Sequence, residues 1–367
     1  MKHHIFSSLN KGKLNLKNRL AVAPMTRNSA ETSGEPNDLM AGYYENFAAG
    51  GFGMVISEGT YTDDHFSRCN PNQPGIVSEG HIKAWKQITD RVRKHDSLFI
   101  CQLMHAGALS EMLDETVSAS AFLPRGQRNT GSGGTPGPYP VPSEMTHKDI
   151  EKAVKGFVQS AQNARDAGFD GIEIHAANGY LWDQFLTGYS NLRKDNYGGH
   201  MTNRFRPIAG IVDGIRKTTG DDFIVGLRLS ESKVNYLSYR LPDGPRTALE
   251  ILNEAAKTQL DYVHIAAEGG NWARECLYED GSSFSGIARQ VTGLPVIANG
   301  GMNDLQKAEQ IVTSGHGDIV SLGRAALADP CWPNKTLNGE TPLAFHKSMI
   351  QPYLTIRHSN SVISSYT

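Results

Sequence analysis

Short apolar runs recur eight times along this chain, at 20–24, 53–57, 98–103, 170–174, 223–228, 261–266, 295–298 and 317–322. Helix-spaced stretches lie between most of them, at 37–49, 81–95, 146–167, 245–258, 282–291, 304–314 and 324–328. Continuous rather than alternating apolar runs are the mark of strands buried on both faces, and such strands occur in parallel sheets covered by helices. Eight strand–helix units close naturally into a (β/α)8 TIM barrel, so the fold class expected is α/β with that architecture. A doubly wound sheet would need a G-x-G-x-x-G turn after an early strand, and residues 23–30 contain none. The helix at 146–167 opens with Thr146-His-Lys-Asp149, a T-x-x-D pattern suited to an N-cap.

At 367 residues the chain suits one large barrel domain over 1–367. One connection is too long and too rich in Gly and Pro for a turn: the span 104–145 reads as a lid-like insertion after the third strand. The Ser-rich tail, 353–367, is free either to fray or to dock on a neighbouring subunit of a homo-oligomer. The net charge of −2, without a long basic run, argues against nucleic acid or an anionic membrane as partner and points to a small molecule. Cys69, Cys101, Cys276 and Cys331 form no C-x-x-C pair, which suits a reduced, cytoplasmic protein. The amino terminus lacks the apolar core of a signal peptide, and no run approaches the roughly 20 apolar residues of a membrane span.

In a barrel of this kind the reactive groups sit at the C-terminal ends of the strands. Those ends carry Pro24, Met25 and Thr26 after the first strand, Glu58 and Gly59 after the second, and Gln102 at the third. His175, Asn178 and Tyr180 follow the fourth, and Arg228 ends the fifth. No metal is expected: His105 and His175 could meet at the mouth, but neither belongs to an H-x-x-x-H or H-x-E pattern. None of the strand ends offers the lysine that a Schiff-base aldolase requires. Asn299-Gly300-Gly301 after the seventh strand and Gly323-Arg324 after the eighth supply what a phosphate needs: close backbone N–H groups, a helix N-terminus and a guanidinium.

Together, Pro24-Met-Thr26, Gln102, His105-Ala-Gly107, His175-Ala-Ala-Asn-Gly-Tyr-Leu181, Asn191 to Gly199 with Asn203-Arg204, Asn299-Gly-Gly301 and Gly323-Arg324 resemble the old yellow enzyme family of FMN-dependent NAD(P)H oxidoreductases. The resemblance runs from the first strand to the last. It implies non-covalent FMN, its phosphate on Gly301, Gly323 and Arg324 and its ring against Pro24, Met25 and Gly59. Thr26 would donate to a ring carbonyl, Gln102 would bond the pyrimidine edge, and Arg228 would counter negative charge on the reduced ring. His175 and Asn178 would bind the oxygen of an enone or nitroalkene, with hydride delivered to the β-carbon and Tyr180 protonating the α-carbon. NAD(P)H would reduce the flavin first and vacate the same site. The chain differs from the family's short thermophilic branch in Thr26, Asn28 and Asn178, where cysteine, tyrosine and a second histidine are common.

Two other readings share parts of this site. A lyase or aldolase barrel would use the phosphate turns for a sugar phosphate, and a non-catalytic flavin-binding protein would hold FMN without turning over an alkene.

Overall fold

A computed structural model describes residues 3–366 apart from 130 and 132. Positions 1, 2, 130, 132 and 367, two of them within the Gly- and Pro-rich insertion and one at the end of the tail, lie outside the described residues. Eight parallel strands form the barrel: β1 (Leu20–Val22), β2 (Met54–Ile56), β3 (Leu98–Met104), β4 (Gly171–His175), β5 (Ile224–Ser230), β6 (Tyr262–Ala266), β7 (Val296–Asn299) and β8 (Ile319–Leu322). Each pairs with its neighbours in sequence, and the ring closes where β8 pairs with β1. A short ninth strand, Thr60–Tyr61, lies beside β3.

Helices cover the outside: α1 (Asp38–Ala49), α2 (Glu79–Val92), α3 (His147–Asp166), α4 (Met201–Thr219), α5 (Pro245–Ala255), α6 (Phe284–Thr292), α7 (Leu305–Thr313) and α8 (Arg324–Ala328). The capping box expected at Thr146 is formed, with Asp149 Oδ2 accepting from Thr146 N at 2.8 Å and Thr146 Oγ1 from Asp149 N at 3.3 Å. Trp85 shows how a helix is locked on: its ring packs 5.2 Å from Phe169, and its indole N–H donates to the Gly75 carbonyl. Burying a ring of that size removes on the order of 200 Å² from water, about 5 kcal/mol at 25 cal/mol/Å².

Two of the elements absent from the sequence pattern shape the barrel most. Helix α4 carries Phe205, Ile208, Ile211, Val212 and Ile215 on its buried face, but Pro207 interrupts the pattern that would announce it. An amino-terminal hairpin, Leu9–Lys11 with Leu14–Leu16, plugs the bottom of the barrel, where Leu14 and Leu16 pack on inward residues such as Ile100, Ile224 and Ile297. The tail folds back on its own chain as α9 (Ile356–Ile363). There Arg27 donates to the Thr355 carbonyl at 2.9 Å and to Ser359 Oγ, and Ile356 N donates to Ser29 Oγ at 2.9 Å.

The strand faces that point into the barrel change character along its axis. With a period of two, Ile100 is followed inward by Gln102, Ile224 by Gly226 and Arg228, Tyr262 by His264, Ile297 by Asn299 and Ile319 by Ser321. The lower barrel is therefore hydrocarbon and the upper barrel polar. This gradient places the polar inward side chains towards the end where the loops open, with Glu173 midway down.

Candidate active site

Two adjoining cavities occupy the C-terminal end of the barrel, of about 640 and 710 Å³. Pro24, Met25, Arg228, Glu268 and Arg324 line both, so the two form one continuous trough. Asn299, Gly300, Gly301 and Gly323 line one end. Thr26, Gly59, Gln102, His175, Asn178 and Tyr180 line the other. Of the residues singled out from strand ends, all but Glu58 line this trough.

At the first end the backbone is shaped for an anion. Gly300 holds φ +117°, and a Cβ there would lie 2.7 Å from both Ala267 Cβ and Trp272 N, so only glycine lets this turn pass. Arg324 begins α8, and its guanidinium donates to the Gly269 carbonyl at 3.3 Å. Lys307, which the sequence did not single out, brings its ammonium to the Gly301 backbone, 3.2 Å from where a Cβ would stand. Arg324 and three glycines line this end.

At the other end, β4 delivers His175 and the turn after it delivers Asn178 and Tyr180. The turn is strained and over-determined. Asn178 has φ +63°, a region that a non-glycine residue rarely adopts. Its N–H donates to Ser230 Oγ at 2.7 Å, its carbonyl accepts from Val234 N at 2.9 Å, and Gly179 N donates to Asp183 Oδ2 at 2.5 Å. Asp183 is in turn paired with Lys233 at 2.7 Å, both side chains being buried. Lys233 lies just beyond β5, close to the mouth, yet this ion pair and the Tyr239 ring occupy its ammonium.

His175 is 3% exposed and its Nδ1 has no partner among the described residues. Burial first, then the Arg228 guanidinium, drives its imidazolium form down to a pKa of about 3, so the ring is neutral with one N–H to offer. Its ring stands 5.1 Å from that of Tyr180, edge to face. Tyr180 precedes a short helix, Leu181–Leu186, but its side chain makes no capping bond and lines the cavity instead. Burial, reinforced by Cys69, Glu268 and Glu111, raises its phenol well above the usual value, which keeps the proton on oxygen at neutral pH. His105, which could have met His175, is engaged elsewhere: Nε2 lies 3.4 Å from Asp63 and Nδ1 accepts from Gly107 N.

Three acidic residues shape the trough, of which only Glu58 was singled out from the sequence. Glu268 follows β6 and accepts from Asn178 Nδ2 at 2.7 Å, which orients that amide and leaves Asn178 Oδ1 buried without a partner among the described residues. Glu111, from the 104–145 insertion, accepts from the Tyr139 hydroxyl at 2.8 Å and from Asn129 N, so the insertion walls the cavity. Glu58 accepts from Arg27 N at 2.8 Å and from the Tyr44 hydroxyl at 3.1 Å, which pins the backbone next to Thr26.

The trough fits a flavin mononucleotide on its own chemistry: a glycine-lined cationic end for a phosphate, a flat middle between Pro24, Met25 and Gly59, and polar edge groups at Gln102 and Arg228. Arg228 Nε is buried with no partner among the described residues. Replacing Arg324 with alanine should raise the dissociation constant for FMN on the order of tenfold to a hundredfold, the range for one charge-assisted contact. Titration of the stripped protein by flavin fluorescence measures this, and an unchanged constant would remove Arg324 from the phosphate end.

The family model described as the NADH:flavin oxidoreductase / NADH oxidase family matches residues 4–341. An NADPH dehydrogenase of Geobacillus thermodenitrificans is 32% identical over 333 residues, 90% of this chain and 92% of that protein. A probable flavin mononucleotide-dependent alkene reductase of Leishmania infantum is 31% identical over 332 residues, 86% of this chain and 85% of its own. Among solved structures, morphinone reductase in complex with tetrahydroNAD superposes with a TM-score of 0.81 at 28% identity, over 94% of this chain and 93% of that one. The old yellow enzyme homologue from Zymomonas mobilis gives 0.79 at 27% identity, over 93% and 94%.

Proposed function

The chain belongs to the old yellow enzyme family of FMN-dependent NAD(P)H oxidoreductases, and on that premise we propose that His175, Asn178 and Tyr180 are its substrate-binding and proton-donating groups. The enzyme reduces electron-poor alkenes at the expense of NAD(P)H, and FMN held in the trough would supply the hydride-transfer chemistry that connects the two. The observation that carries the assignment of residues is the convergence of a neutral imidazole, an oriented amide and a protonated phenol on one face of the trough.

In this reading the chain's own groups divide the work. His175 offers its N–H to the carbonyl or nitro oxygen, and Asn178 offers the amide hydrogen that Glu268 does not take. Donors aimed at the oxygen where negative charge develops lower the barrier by on the order of 3 kcal/mol each. Tyr180 holds a proton for the α-carbon. Gly300, Gly301, Gly323, Arg324 and Asn299 hold the phosphate end of the cofactor, while Pro24, Met25, Thr26, Gly59, Gln102 and Arg228 meet its ring. The whole of 1–367 acts as one cofactor-binding domain, with 104–145 as the wall that selects the alkene. The four free cysteines suit a cytoplasmic setting. Among the described residues no helix is long and apolar enough to cross a membrane.

Purified protein should be yellow, should bleach on anaerobic addition of NADH or NADPH, and should recover its colour when cyclohexenone is added. A protein that binds FMN and bleaches, but is reoxidised by oxygen alone, would overturn the alkene-reducing assignment. A lyase or aldolase reading gains no support from Lys233: this lysine, just beyond β5 and close to the mouth, is tied to Asp183.

A further inference from the structure

We propose that Glu173 is a positioning residue: its carboxylate, sealed inside the barrel, dictates that Gln102 shows its carbonyl oxygen rather than its amide hydrogens to the cofactor trough. The proposal rests on the reading above that Gln102 meets the pyrimidine edge of FMN. Glu173 itself touches neither cavity.

Glu173 lies midway along β4, directly beside Gln102 of β3, and has 0% exposure. Its Oε1 accepts from Gln102 Nε2 at 2.8 Å, and its Oε2 accepts from the Tyr262 hydroxyl at 3.1 Å and from His264 Nδ1 at 2.9 Å. An ionised carboxylate only accepts. Burial opposes the charge, but the His264 ring, the Arg228 guanidinium and the Gln102 amide together outweigh it and keep Glu173 ionised. Facing such a group, Gln102 must direct its nitrogen inward, and its oxygen is left for the trough that it lines.

The far side of the same network supplies a contrast. His264 passes the polarity on: with its N–H on Nδ1, its Nε2 accepts from Ser321 Oγ at 3.0 Å, and Ser321 Oγ accepts from Asn299 Nδ2 at 3.1 Å. Asn299 Nδ2 also donates to the Ser321 carbonyl at 3.1 Å. A backbone carbonyl cannot reverse its role, so Asn299 would keep its orientation without Glu173. Among the described residues Gln102 has no second side-chain bond that would do this.

The substitution Glu173→Gln is isosteric and reverses the logic. Tyr262 and His264 still donate, so they take the oxygen of the new amide and leave its nitrogen facing Gln102. Gln102 then turns its own oxygen inward and its hydrogens to the trough. On the pyrimidine edge of oxidised flavin the N3–H is the only donor, so the orientation of Gln102 is read by comparing FMN with 3-methyl-FMN, which lacks that hydrogen. Full-length protein stripped of flavin should bind FMN on the order of tenfold more tightly than 3-methyl-FMN. In Glu173→Gln the ratio should fall towards one. Loss of packing alone would weaken both flavins alike and leave the ratio standing.

A second variant protects the test against misfolding. With Glu173→Gln and Gln102→Glu combined, residue 173 donates to residue 102, every bond inside the barrel is satisfied, and the second carboxylate oxygen at 102 again faces the trough as an acceptor. The preference for FMN should return. The proposal is overturned if Glu173→Gln keeps the wild-type ratio, if the double variant shows no preference, or if the wild type binds both flavins equally. A wild type that binds neither flavin would instead overturn the assignment of the trough to FMN.

Discussion

Tyr180→Phe should slow reduction of cyclohexenone by at least a hundredfold while leaving reduction of the flavin by NAD(P)H within a few-fold of wild type. Positioned proton transfer contributes typically 10²–10⁴-fold, and hydride transfer from nicotinamide to the flavin requires no proton from this side chain. The substitution removes one oxygen and keeps the ring that packs 5.1 Å from His175, so the wall of the cavity survives. Stopped-flow absorbance of the flavin separates the two half-reactions. Equal slowing of both would take Tyr180 out of the acid role, and no slowing of either would show that another group protonates the α-carbon.

His175→Leu makes the opposite contrast. Both substrates use the same cavity, so loss of the imidazole donor should impair both half-reactions, with kcat/KM for the enone falling on the order of 10²–10³-fold. Leucine fills similar space, which limits the effect on stability to the packing of one side chain. The pH dependence sharpens the assignment. Because the folded protein holds the imidazole neutral down to a pKa of about 3, the wild-type rate should show no His175 ionisation between about pH 5 and 9, well above that value. A bell-shaped or sigmoid profile near pH 6.5 that vanished in His175→Leu would show instead that the ring titrates in the working enzyme and acts as an imidazolium.

These effects depend on neighbours that the strand-end pattern did not disclose. Tyr180, His175 and Asn178 were legible because a barrel strand ends beside them and the barrel rule says where chemistry collects. Glu268 was not: it follows an apolar strand as an ordinary acidic residue, and only its 2.7 Å bond to Asn178 across ninety positions gives it a part in the site. Lys233, three residues past β5, carried no signal in the sequence, yet it is buried and clamps the Asn178–Gly179 turn through Asp183. Helix α4 went unread because Pro207, Gly210 and Gly214 dilute its apolar stripe, and the bottom plug because a three-residue strand carries too little pattern to stand out.

What the amino-acid order determined by itself is the class of fold, the end of the barrel where chemistry gathers, and the identity of the groups that gather there, because each follows from local periodicity and from the residue at a strand's end. What only the tertiary structure decided is direction and pairing. Which side-chain atom of Gln102 meets Glu173, whether His175 is neutral, and on what Tyr180 packs all depend on neighbours such as Glu173, Arg228 and the Cys69–Met104–Ala106 cluster. The partners stand on other strands or loops, and hydrogen bonds and charges act over a few ångströms of space whatever their separation along the chain.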